Sequence, residues 1–532
     1  VSDLQDRRGY LDGTYRGSSL KSYQRLILNY GEPRSRSKKN NRWVETGFLV
    51  EKDAGETRLN DFQAGYAMVN APEISSKVIL GDFVVEAAEG LVLWRSIGFS
   101  KGSEVVSTLE KSGGGIRPYL STDENLFFRG GAFEWESDGV LLSAFYSNKK
   151  MTASINENGM ITGFDTDGYH RTASEEAKEG NAKERLSGFR TSFDFAHGLS
   201  FGATAFQANF SHPLLIGGAE VTSGTRMRVG GLDFRYSDRR LTLFSEFASS
   251  TSGGVAKLMG LMYQPTSRID LALVGRDYPM NFSNVHSFGF RESSGMTQNE
   301  AGVYVGVKLT PAKWLKVSVY YDQFRFPWRT SSLPLPTSGN DFLSLTEVDL
   351  SKKLDFQFLY RAKSKPQSTH AEDVLGRTLN IVGQRNQSNY RMTLNYRSSV
   401  RMAWRSRFEY VKVRFSFGDP EERGFLYMQD GRYRISDDFT LDGRVVIFQT
   451  GSFESRLYEF ENDLKGTFAN PALYSRGIRS YLLARAKLTQ SLELSAKYSR
   501  TVKDGVKVLG SGTNEVQGNV ENHLSFQFDW RF

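Results

Sequence analysis

The end of the chain alternates strictly between large apolar and polar residues. Counting back from the last position, every second side chain is large and apolar: Phe532, Trp530, Phe528, Phe526 and Leu524. The residues between them are polar: Arg531, Asp529, Gln527 and Ser525. Successive side chains of a β-strand point to opposite faces, so this segment predicts a strand with one apolar and one polar face.

The same period of two recurs in six other segments. Their apolar positions are Leu241-Leu243-Phe247, Leu315-Val317-Val319-Tyr321, Leu354-Phe356-Phe358-Tyr360, Tyr390-Met392-Leu394-Tyr396, Met402-Trp404-Phe408-Tyr410 and Leu492-Leu494-Ala496-Tyr498. The opposite positions often carry two or more whole charges, which must meet water because burying an unpaired charge is costly. The apolar face must then meet lipid or a very large core, and no helical pattern is available to build that core. These segments predict an all-β protein.

The connectors between the predicted strands are of two kinds. Some are very short, as at Ser398-Ser399, Ser237-Asp238 and Pro265-Thr266. Others are long and polar: 165–184, 278–299, 326–340, 363–388 and 501–519. Short turns at one end and long loops at the other are typical of transmembrane β-barrels, with periplasmic turns and extracellular loops.

The predicted fold is a large antiparallel transmembrane β-barrel of roughly 20–26 strands. Residues 1–532 form a single outer-membrane barrel domain. Within it, residues 1–125 hold strands near 22–30, 41–51, 63–70, 77–85 and 90–97 and a segment inserted into the lumen, whereas residues 126–532 form regular hairpins. The last strand should close the barrel against residues 23–30. Side chains alone cannot fill a barrel of this size, so the lumen is plugged or it conducts.

Composition agrees with a barrel in the bacterial outer membrane. The mean hydropathy is −0.44, and aromatic residues make up 13% of the chain. No segment reaches the ~18–20 consecutive apolar residues of a membrane-spanning helix, but half of each barrel strand faces a polar lumen. The net charge of +8 raises nucleic acid or anionic lipid as partners, although no lysine-rich run exists and a spread over lumen and loops explains the charge as well.

Catalytic chemistry is poorly represented. The chain has no Cys, and its six His residues form no metal-spaced pair. His170, Arg171, Ser174 and Glu175 are the one local cluster with atoms suited to catalysis, or else they hold an extracellular loop by hydrogen bonds. Asp123, Glu124 and Asn125 offer oxygens to a calcium ion or cap a turn. We predict no enzymatic activity, no catalytic residue, no metal site and no cofactor.

Seven arginines are predicted to form a basic wall on the lumen face: Arg361, Arg391, Arg397, Arg401, Arg405, Arg407 and Arg444. Such a wall favours anions in a wide pore. Alternatively, these arginines pair with acids of the same strands, such as Glu409, Asp355 and Asp442.

Three segments, richer in Gly and in fixed polar residues than a lipid-facing strand requires, break the simple alternation. They carry the motifs GDF…GLVLW and GIRPY.S.DEN.F.RG, then G.HRT.SE, then YE.END. Their order resembles an outer-membrane barrel family of Bacteroidota and related phyla, usually named for an N-terminal helix-hairpin-helix domain. The matching positions are Gly81, Asp82, Gly90, Trp94, Arg117, Pro118, Tyr119, Asn125, Arg129, His170, Arg171, Glu461, Asn462 and Asp463. The helix-hairpin-helix module is not in this sequence, so the resemblance implies no nucleic acid bound by this segment.

The predicted function is a component or scaffold of a cell-envelope transport or assembly complex, with the lumen occluded by loops or by a partner. The alternative is a stand-alone diffusion channel with an anion bias. Active TonB-type uptake is disfavoured, because no globular plug domain precedes the first predicted strands. Expected partners are outer-membrane lipid, the barrel-assembly machinery and a periplasmic or surface protein. A terminal aromatic strand resembles the insertion signal of outer-membrane barrels, here Phe526, Phe528, Trp530 and Phe532.

Overall fold

One antiparallel sheet dominates the structure. The computed structural model describes residues 2–31, 43–95, 101–111, 113–216, 219–220, 224–293, 295–330, 332–372, 374–418 and 420–532. Within these residues, 25 strands belong to a single sheet. They are Ser2–Asp3, Ser22–Tyr30, Trp43–Lys52, Phe62–Ala71, Ser76–Glu86, Gly115–Pro118, Phe128–Ser137, Val140–Met151, Ala182–Phe195, Leu199–Phe210, Arg226–Ser237, Leu241–Ser250, Val255–Thr266, Ile269–Tyr278, Glu300–Ala312, Leu315–Phe326, Thr337–Ser351, Leu354–Glu372, Thr378–Arg397, Met402–Phe415, Glu422–Arg434, Phe439–Thr450, Arg476–Lys487, Leu492–Asp504 and Val520–Trp530.

The remaining elements are short. Four two-stranded sheets pair Ala153–Ile155 with Ile161–Phe164, Leu215–Ile216 with Ala219–Glu220, Leu457–Tyr458 with Ala472–Leu473, and Val508–Leu509 with Val516–Gln517. The helices are Arg8–Leu11 and Ala173–Glu176, with 3₁₀ turns at Pro72–Ile74, Ala196–Gly198 and Gly512–Asn514. None of the helices among the described residues has the length and apolarity that a bilayer crossing needs.

The two faces of the wall strands meet different surroundings, as their sequence predicts. In Met402–Phe415, Trp404 and Phe408 are each 43% exposed, whereas Glu409 on the opposite face is buried. In the last strand, Phe526 is exposed and Ser525 is buried. An apolar outer surface around a polar interior is the arrangement of a transmembrane β-barrel, because lipid covers the outside. The predicted barrel fold is confirmed.

Tight turns join the strands at one end of the barrel. Between Ser137 and Val140, which face each other across the hairpin, stand only Asp138 and Gly139. Both have positive φ, at 50° and 77°. This is the backbone of a two-residue type I′ turn, and Asp-Gly is one of its preferred sequences. The turn fixes the register of the two strands it connects.

The seam between the chain ends differs from the prediction. The last strand pairs with Leu492–Asp504 on one edge and with Ser2–Asp3 on the other, at Leu524 and His523. Residues 23–30 pair with Trp43–Lys52 instead, and no pairing with the last strand occurs among the described residues. The very short strand Ser2–Asp3 takes the edge position that the prediction gave to residues 23–30.

Two predicted elements are wrong. Residues 363–388 form no loop, because Leu354–Glu372 and Thr378–Arg397 pair along their whole length up to Glu372 and Thr378. Their outer parts are mostly polar on both faces, with Leu379, Ile381 and Val382 as exceptions, so the sequence shows little alternation there. Residues 90–95 form no strand and lie in the lumen, while residues 96 and 97 of that predicted strand lie outside the described residues.

Candidate functional site

Connector segments between wall strands fold inward and occupy the lumen. We call them the first insert (87–95, 101–111 and 113–127), the second insert (152–181), the third insert (279–293 and 295–299) and the fourth insert (451–475). A segment inserted into the lumen was predicted within residues 1–125, where nearly all of the first insert lies; the other three inserts lie between residues 126 and 532.

The first insert brings an apolar core into the lumen. Leu91 and Val105 are fully buried in one cluster with the wall residues Phe244 and Tyr304. The hydroxyl of Tyr304 also donates to the backbone carbonyl of Val105 at 2.9 Å. The barrel interior is thus packed like the core of a soluble protein along this part of the wall.

Glu246 fixes the first insert to the wall. This buried residue of strand Leu241–Ser250 accepts hydrogen bonds from three backbone N–H groups of the insert. The donors are Glu89 at 2.9 Å, Leu91 at 2.9 Å and Val92 at 3.0 Å. One carboxylate therefore satisfies three amides that water cannot reach, which sets the position of the insert to within a hydrogen-bond length.

Gly90 and Trp94 bring the first insert against the third. Gly90 has a φ of 83°, and a Cβ there would lie 2.8 Å from the carbonyl oxygen of Phe288. The Phe288 N–H donates to the Gly90 carbonyl at 2.8 Å, and the Trp94 N–H donates to the carbonyl of His286 at 2.9 Å. Glycine is required here for both the left-handed backbone and the close approach.

Arg95 belongs to a buried cluster of hydrogen-bonded polar groups between the inserts and the wall. Its guanidinium donates to Nδ1 of His286 at 3.0 Å and to the carbonyl of Asn125. The other ring nitrogen of His286 lies 2.6 Å from the Glu184 carboxylate. Burial lowers the pKa of His286, so the neutral ring accepts from Arg95 and donates to Glu184. The ring of Phe128 covers this group, and solvent does not reach it.

A second buried charge group joins the first and third inserts to the wall. Arg276 is fully buried and contacts Glu300 and Asp322, each at 2.7 Å. Lys101 of the first insert contacts Asp322 at 2.8 Å and Glu292 of the third insert at 2.5 Å. Each of these carboxylates contacts at least one cation, which offsets the cost of burying charge in a region of low dielectric constant.

The fourth insert is held by charges at Glu461 and Asp463. Glu461 accepts from two nitrogens of Arg479, at 2.6 and 3.0 Å, and from Lys497 at 3.1 Å. Lys497 also donates to Asp463 at 2.8 Å. Asn462 stands between the two acids, and its N–H donates to a tyrosine hydroxyl of the wall at 3.4 Å. The YE.END motif is therefore the contact between the insert and the wall.

Five of the seven predicted wall arginines pair with carboxylates. The nitrogen-to-oxygen distances are 2.6 Å for Arg361–Asp341, 2.6 Å for Arg391–Glu409, 2.8 Å for Arg405–Asp430, 2.7 Å for Arg407–Glu459 and 2.5 Å for Arg444–Asp430. Among the predicted acid partners, Glu409 pairs with such an arginine. The wall is a network of ion pairs.

The other two arginines lie elsewhere. Arg397 is the exposed last residue of Thr378–Arg397, at the end with the short turns. Arg401 follows in the turn itself and is exposed as well. The prediction of a lumen-facing wall is wrong for Arg401, because the turn extends two residues beyond Ser398–Ser399, through Val400 and Arg401.

Gly81 and Asp82, the first two positions of the GDF motif, make close contacts within the wall. Asp82 holds Arg129 through two hydrogen bonds of 2.7 and 2.9 Å and also accepts from the Gly65 N–H at 2.8 Å. Gly81 has a φ of 102°, and a Cβ there would lie 2.3 Å from the carbonyl oxygen of Gly65. The backbones approach so closely at this point that only glycine fits.

The GIRPY motif begins the return of the first insert to the wall. Arg117 pairs with Glu86 at 2.5 Å, and Pro118 faces Phe83 across a short strand pair. The hydroxyl of Tyr119 donates to the carbonyl of Asp123 at 2.6 Å.

The Asp123 carboxylate caps the turn that follows. It accepts from the N–H groups of Asn125 at 2.9 Å and Leu126 at 3.0 Å. The turn interpretation of residues 123–125 is confirmed.

The His170 cluster is a hydrogen-bonded network of the long-loop end. The ring nitrogen Nδ1 of His170 lies 2.6 Å from the Asp61 carboxylate. The backbone N–H of His170 donates to the Glu56 carboxylate at 3.1 Å. Ligand atoms of these three residues lie within 4.8 Å of one another, a spacing that suits a cation. Burial opposes protonation, but the bond to Asp61 raises the pKa of His170 to about 9. The imidazolium therefore supplies the positive charge between the two carboxylates.

Arg171 precedes the N-cap of the helix Ala173–Glu176 and contacts its first turn. It pairs with Glu175 at 2.8 Å, while Thr172 and Glu175 form a reciprocal capping box. Ser174 contacts the hydroxyl of Thr172 at 3.1 Å. These contacts match the hydrogen-bonded loop that the sequence offered as one of two interpretations.

Sequence reasoning missed the residues that anchor the first insert, namely Glu246, Glu184, His286 and Lys101. A signal exists for Glu246, which is a single charge at a lumen position between Phe244 and Ala248. A lone acid on an otherwise apolar face indicates a specific partner.

Comparison with known proteins finds no matching family model and no matching curated protein, so the resemblance stated above stays a prediction. Solved structures with a similar architecture include the ferripyoverdine receptor of the outer membrane of Pseudomonas aeruginosa, at 12% identity over 96% of this chain and 70% of that one, with a TM-score of 0.45. The siderophore receptor PirA from Acinetobacter baumannii is 8% identical over 97% and 81%, with a TM-score of 0.41. OmpT, an outer membrane protein of Vibrio cholerae, is 12% identical over 66% and 97%, with a TM-score of 0.30.

Proposed function

We propose that this integral outer-membrane β-barrel is a non-enzymatic component or scaffold of a cell-envelope transport or assembly complex, with its lumen occluded by its own inserts. The barrel would present its rims to a periplasmic or surface protein and pass no solute by itself.

The anchoring of the first insert by Glu246 carries this proposal. Three buried hydrogen bonds to one carboxylate, together with the apolar core around Leu91, make the insert part of the folded barrel. A segment held in this way does not leave the lumen by thermal motion alone, because its release would strand buried polar groups.

The pairing of the arginines argues against the alternative, a diffusion channel with an anion bias. Arg391 and Arg407 each have a carboxylate within 2.7 Å, so the positive charge of that wall is largely neutralised. An anion-selective pore needs charges whose field reaches the permeating ion.

Conductance in planar bilayers tests the occluded lumen. The purified barrel is expected to give no stable large conductance. The variant Glu246→Ala is expected to give openings, and Phe247→Ala, which alters the adjacent lipid-facing position, is the matched control. A stable wild-type conductance that selects anions and falls in Arg405→Gln/Arg407→Gln would overturn the proposal.

Purification from native membranes tests the scaffold role. Mass spectrometry of the mildly solubilised barrel is expected to show a stoichiometric protein partner. A second outer-membrane barrel purified through the same tag shows which proteins bind without specificity. Recovery of the barrel alone, under conditions that keep other membrane complexes intact, would contradict the scaffold role.

We also propose that the last strand serves insertion by the barrel-assembly machinery. Phe526, Phe528, Trp530 and Phe532 are between 63% and 78% exposed, so they are available for recognition and for lipid contact. Deletion of Phe532 should lower the amount of folded barrel in the membrane. Phe408→Ala, another lipid-facing aromatic, should not. Equal levels in both variants would refute this role.

A further inference from the structure

A basic pocket opens on the lumen face between the third and fourth inserts. It has a volume of about 430 Å³. Its lining combines four cations with three amides: Arg361, Lys363, Lys365 and Arg385 with Gln367, Gln387 and Asn389, next to Pro366. Among the described residues, none of those that line the pocket carries a carboxylate.

The pocket lies where two strands bring like charges together. Lys365 and Arg385 are direct partners across the pair Leu354–Glu372 and Thr378–Arg397. Lys363 stands opposite Gln387 in the same register. Like charges directly opposite each other destabilise a strand pair. Glu292 at 3.5 Å from Lys365 and Glu454 at 3.0 Å from Arg385 offset part of this cost, and a bound anion would offset more.

The acids that contact Arg361, Lys363 and Lys365 are buried. Asp341 and Glu292 are 0% and 2% exposed, whereas the side chain of Lys365 is 43% exposed. Glu292 contacts Lys363 at 2.5 Å and Lys365 at 3.5 Å. The buried carboxylates thus hold the amines of Lys363 and Lys365 in place. The exposed part of the Lys365 side chain remains open to the lumen.

The charges of this network do not balance. Among the described residues, the connected ion pairs contain five cations, namely Arg276, Lys101, Arg361, Lys363 and Lys365, and four carboxylates, namely Glu300, Asp322, Glu292 and Asp341. Although burial opposes ionisation, Lys101 and Lys363 lower the pKa of Glu292 to about 2, so this acid stays ionised near neutral pH. One positive charge remains, and it lies beside the pocket.

Arg385 closes the pocket on the side of the fourth insert. Its Nε donates to Glu454 at 3.0 Å, and another of its nitrogens donates to Gln387 at 2.5 Å. The two strands therefore line the pocket, and each insert contributes a carboxylate that pairs with lining cations, Glu292 from the third insert and Glu454 from the fourth.

We propose that this pocket binds a small soluble anion that carries phosphate or carboxylate groups. Arginine and amide donors suit the planar or tetrahedral oxygens of such a group. The lumen-facing position excludes the headgroup of a lipid on the outer surface. The site is independent of the proposed scaffold function, because binding requires no transport.

Isothermal titration calorimetry of the detergent-solubilised full barrel at low salt tests the proposal, with sodium pyrophosphate and trisodium citrate as probes and glucose as the uncharged control. We expect saturable binding of at least one anion. In Lys365→Gln/Arg385→Gln the affinity should fall by about tenfold or more, since each charged hydrogen bond contributes on that order. Arg397→Gln/Arg401→Gln removes the same charge at the other end of the barrel and should bind like the wild type.

Three results would overturn the site: no saturable heat with either anion, equal affinity in Lys365→Gln/Arg385→Gln, or an equal loss in the two double variants. Binding of pyrophosphate alone or citrate alone would support the site and name the ligand class. If the double variant fails to fold, Lys365→Gln alone is used, since Glu292 keeps Lys101 and Lys363 as partners. A conducting wild-type barrel would refute occlusion and leave this result unaffected.

Discussion

The two halves of the barrel lumen are filled in different ways. The first and third inserts pack into a cluster of 39 buried apolar residues, which extends over the wall from Tyr66 to Leu343. The fourth insert meets a cluster of nine, to which it contributes Leu457 and Leu473. Leu464 adds a small apolar contact with Tyr481 and Leu483 of the wall, and the other anchors are ion pairs, chiefly those of Glu461.

This difference predicts that the inserts of the two halves respond differently to solution conditions. Apolar burial stabilises by about 25 cal/mol per Å² and responds little to salt. Ion pairs weaken as ionic strength rises, and buried pairs such as Arg479–Glu461 weaken less than exposed ones. We therefore expect the first insert to stay in place under conditions that loosen the fourth.

The largest effect should come from Glu246→Ala. This change leaves three buried N–H groups without an acceptor and should lower the free energy of unfolding by about 3 to 5 kcal/mol. Urea unfolding of the barrel in detergent measures it. Glu246→Gln keeps one acceptor oxygen and should fall between the variant and the wild type. Equal stability of all three would show that the first insert is not fixed by this carboxylate.

Leu91→Ala should have the next largest effect. Leu91 is fully buried in the apolar cluster, and its truncation should cost about 2 to 3 kcal/mol. Leu482→Ala, at an exposed lipid-facing position, is the control and should cost much less. Similar losses for both in the same unfolding assay would contradict an apolar core in the lumen.

Arg479→Gln should act on the fourth insert alone. Glu461 keeps Lys497 as a partner, so the local cost should be about 1 to 2 kcal/mol. Hydrogen exchange of residues 457–473 should speed up, while residues 87–95 stay protected. About 1 M KCl, where the Debye length falls to about 3 Å, should shift the wild type in the same direction. Equal protection of the first and fourth inserts from hydrogen exchange in high salt would contradict the proposed difference in how the two inserts are held.

The smallest effect should be a pH dependence that differs between the halves. Burial raises the pKa of Glu124 to about 8, and the bond to Asp61 raises that of His170 to about 9 despite burial. Both groups contribute stability below their unfolded pKa values that is lost as pH rises toward 8 to 9. Although burial opposes ionisation, Arg479 lowers the pKa of Glu461, so its contribution is present above pH 4.5 and lost in acid.

Hydrogen exchange at pH 6.5 and pH 9, corrected for the intrinsic rate, measures this effect. Residues 53–61 and 169–176 should lose protection at pH 9, whereas residues 457–473 should not. Loss of protection at pH 9 in the fourth insert alone would contradict the prediction that the groups around His170 and Glu124 cause the pH dependence.

The wall could be predicted from the sequence because its pattern is local. A period of two with charges on one face, as in Leu492–Asp504, specifies both a strand and its orientation. The contents of the lumen could not be predicted, because Lys101 and Asp322 are brought together by the closing of the sheet and not by spacing. The sequence predicts a loop beyond Ser364 for a related reason, since mostly polar residues on both faces of a strand leave little alternation.

The first insert begins at Ala87 and ends at Phe127, and the strands on either side of it are already paired, with Phe83 opposite Phe128. The entropy of closing this long loop is therefore lost when the wall strands join, before the insert packs. Docking of the insert then resembles the folding of a tethered domain, with both ends held at one point. We expect the barrel to fold in two kinetic phases, in which an empty wall forms first and fills afterwards.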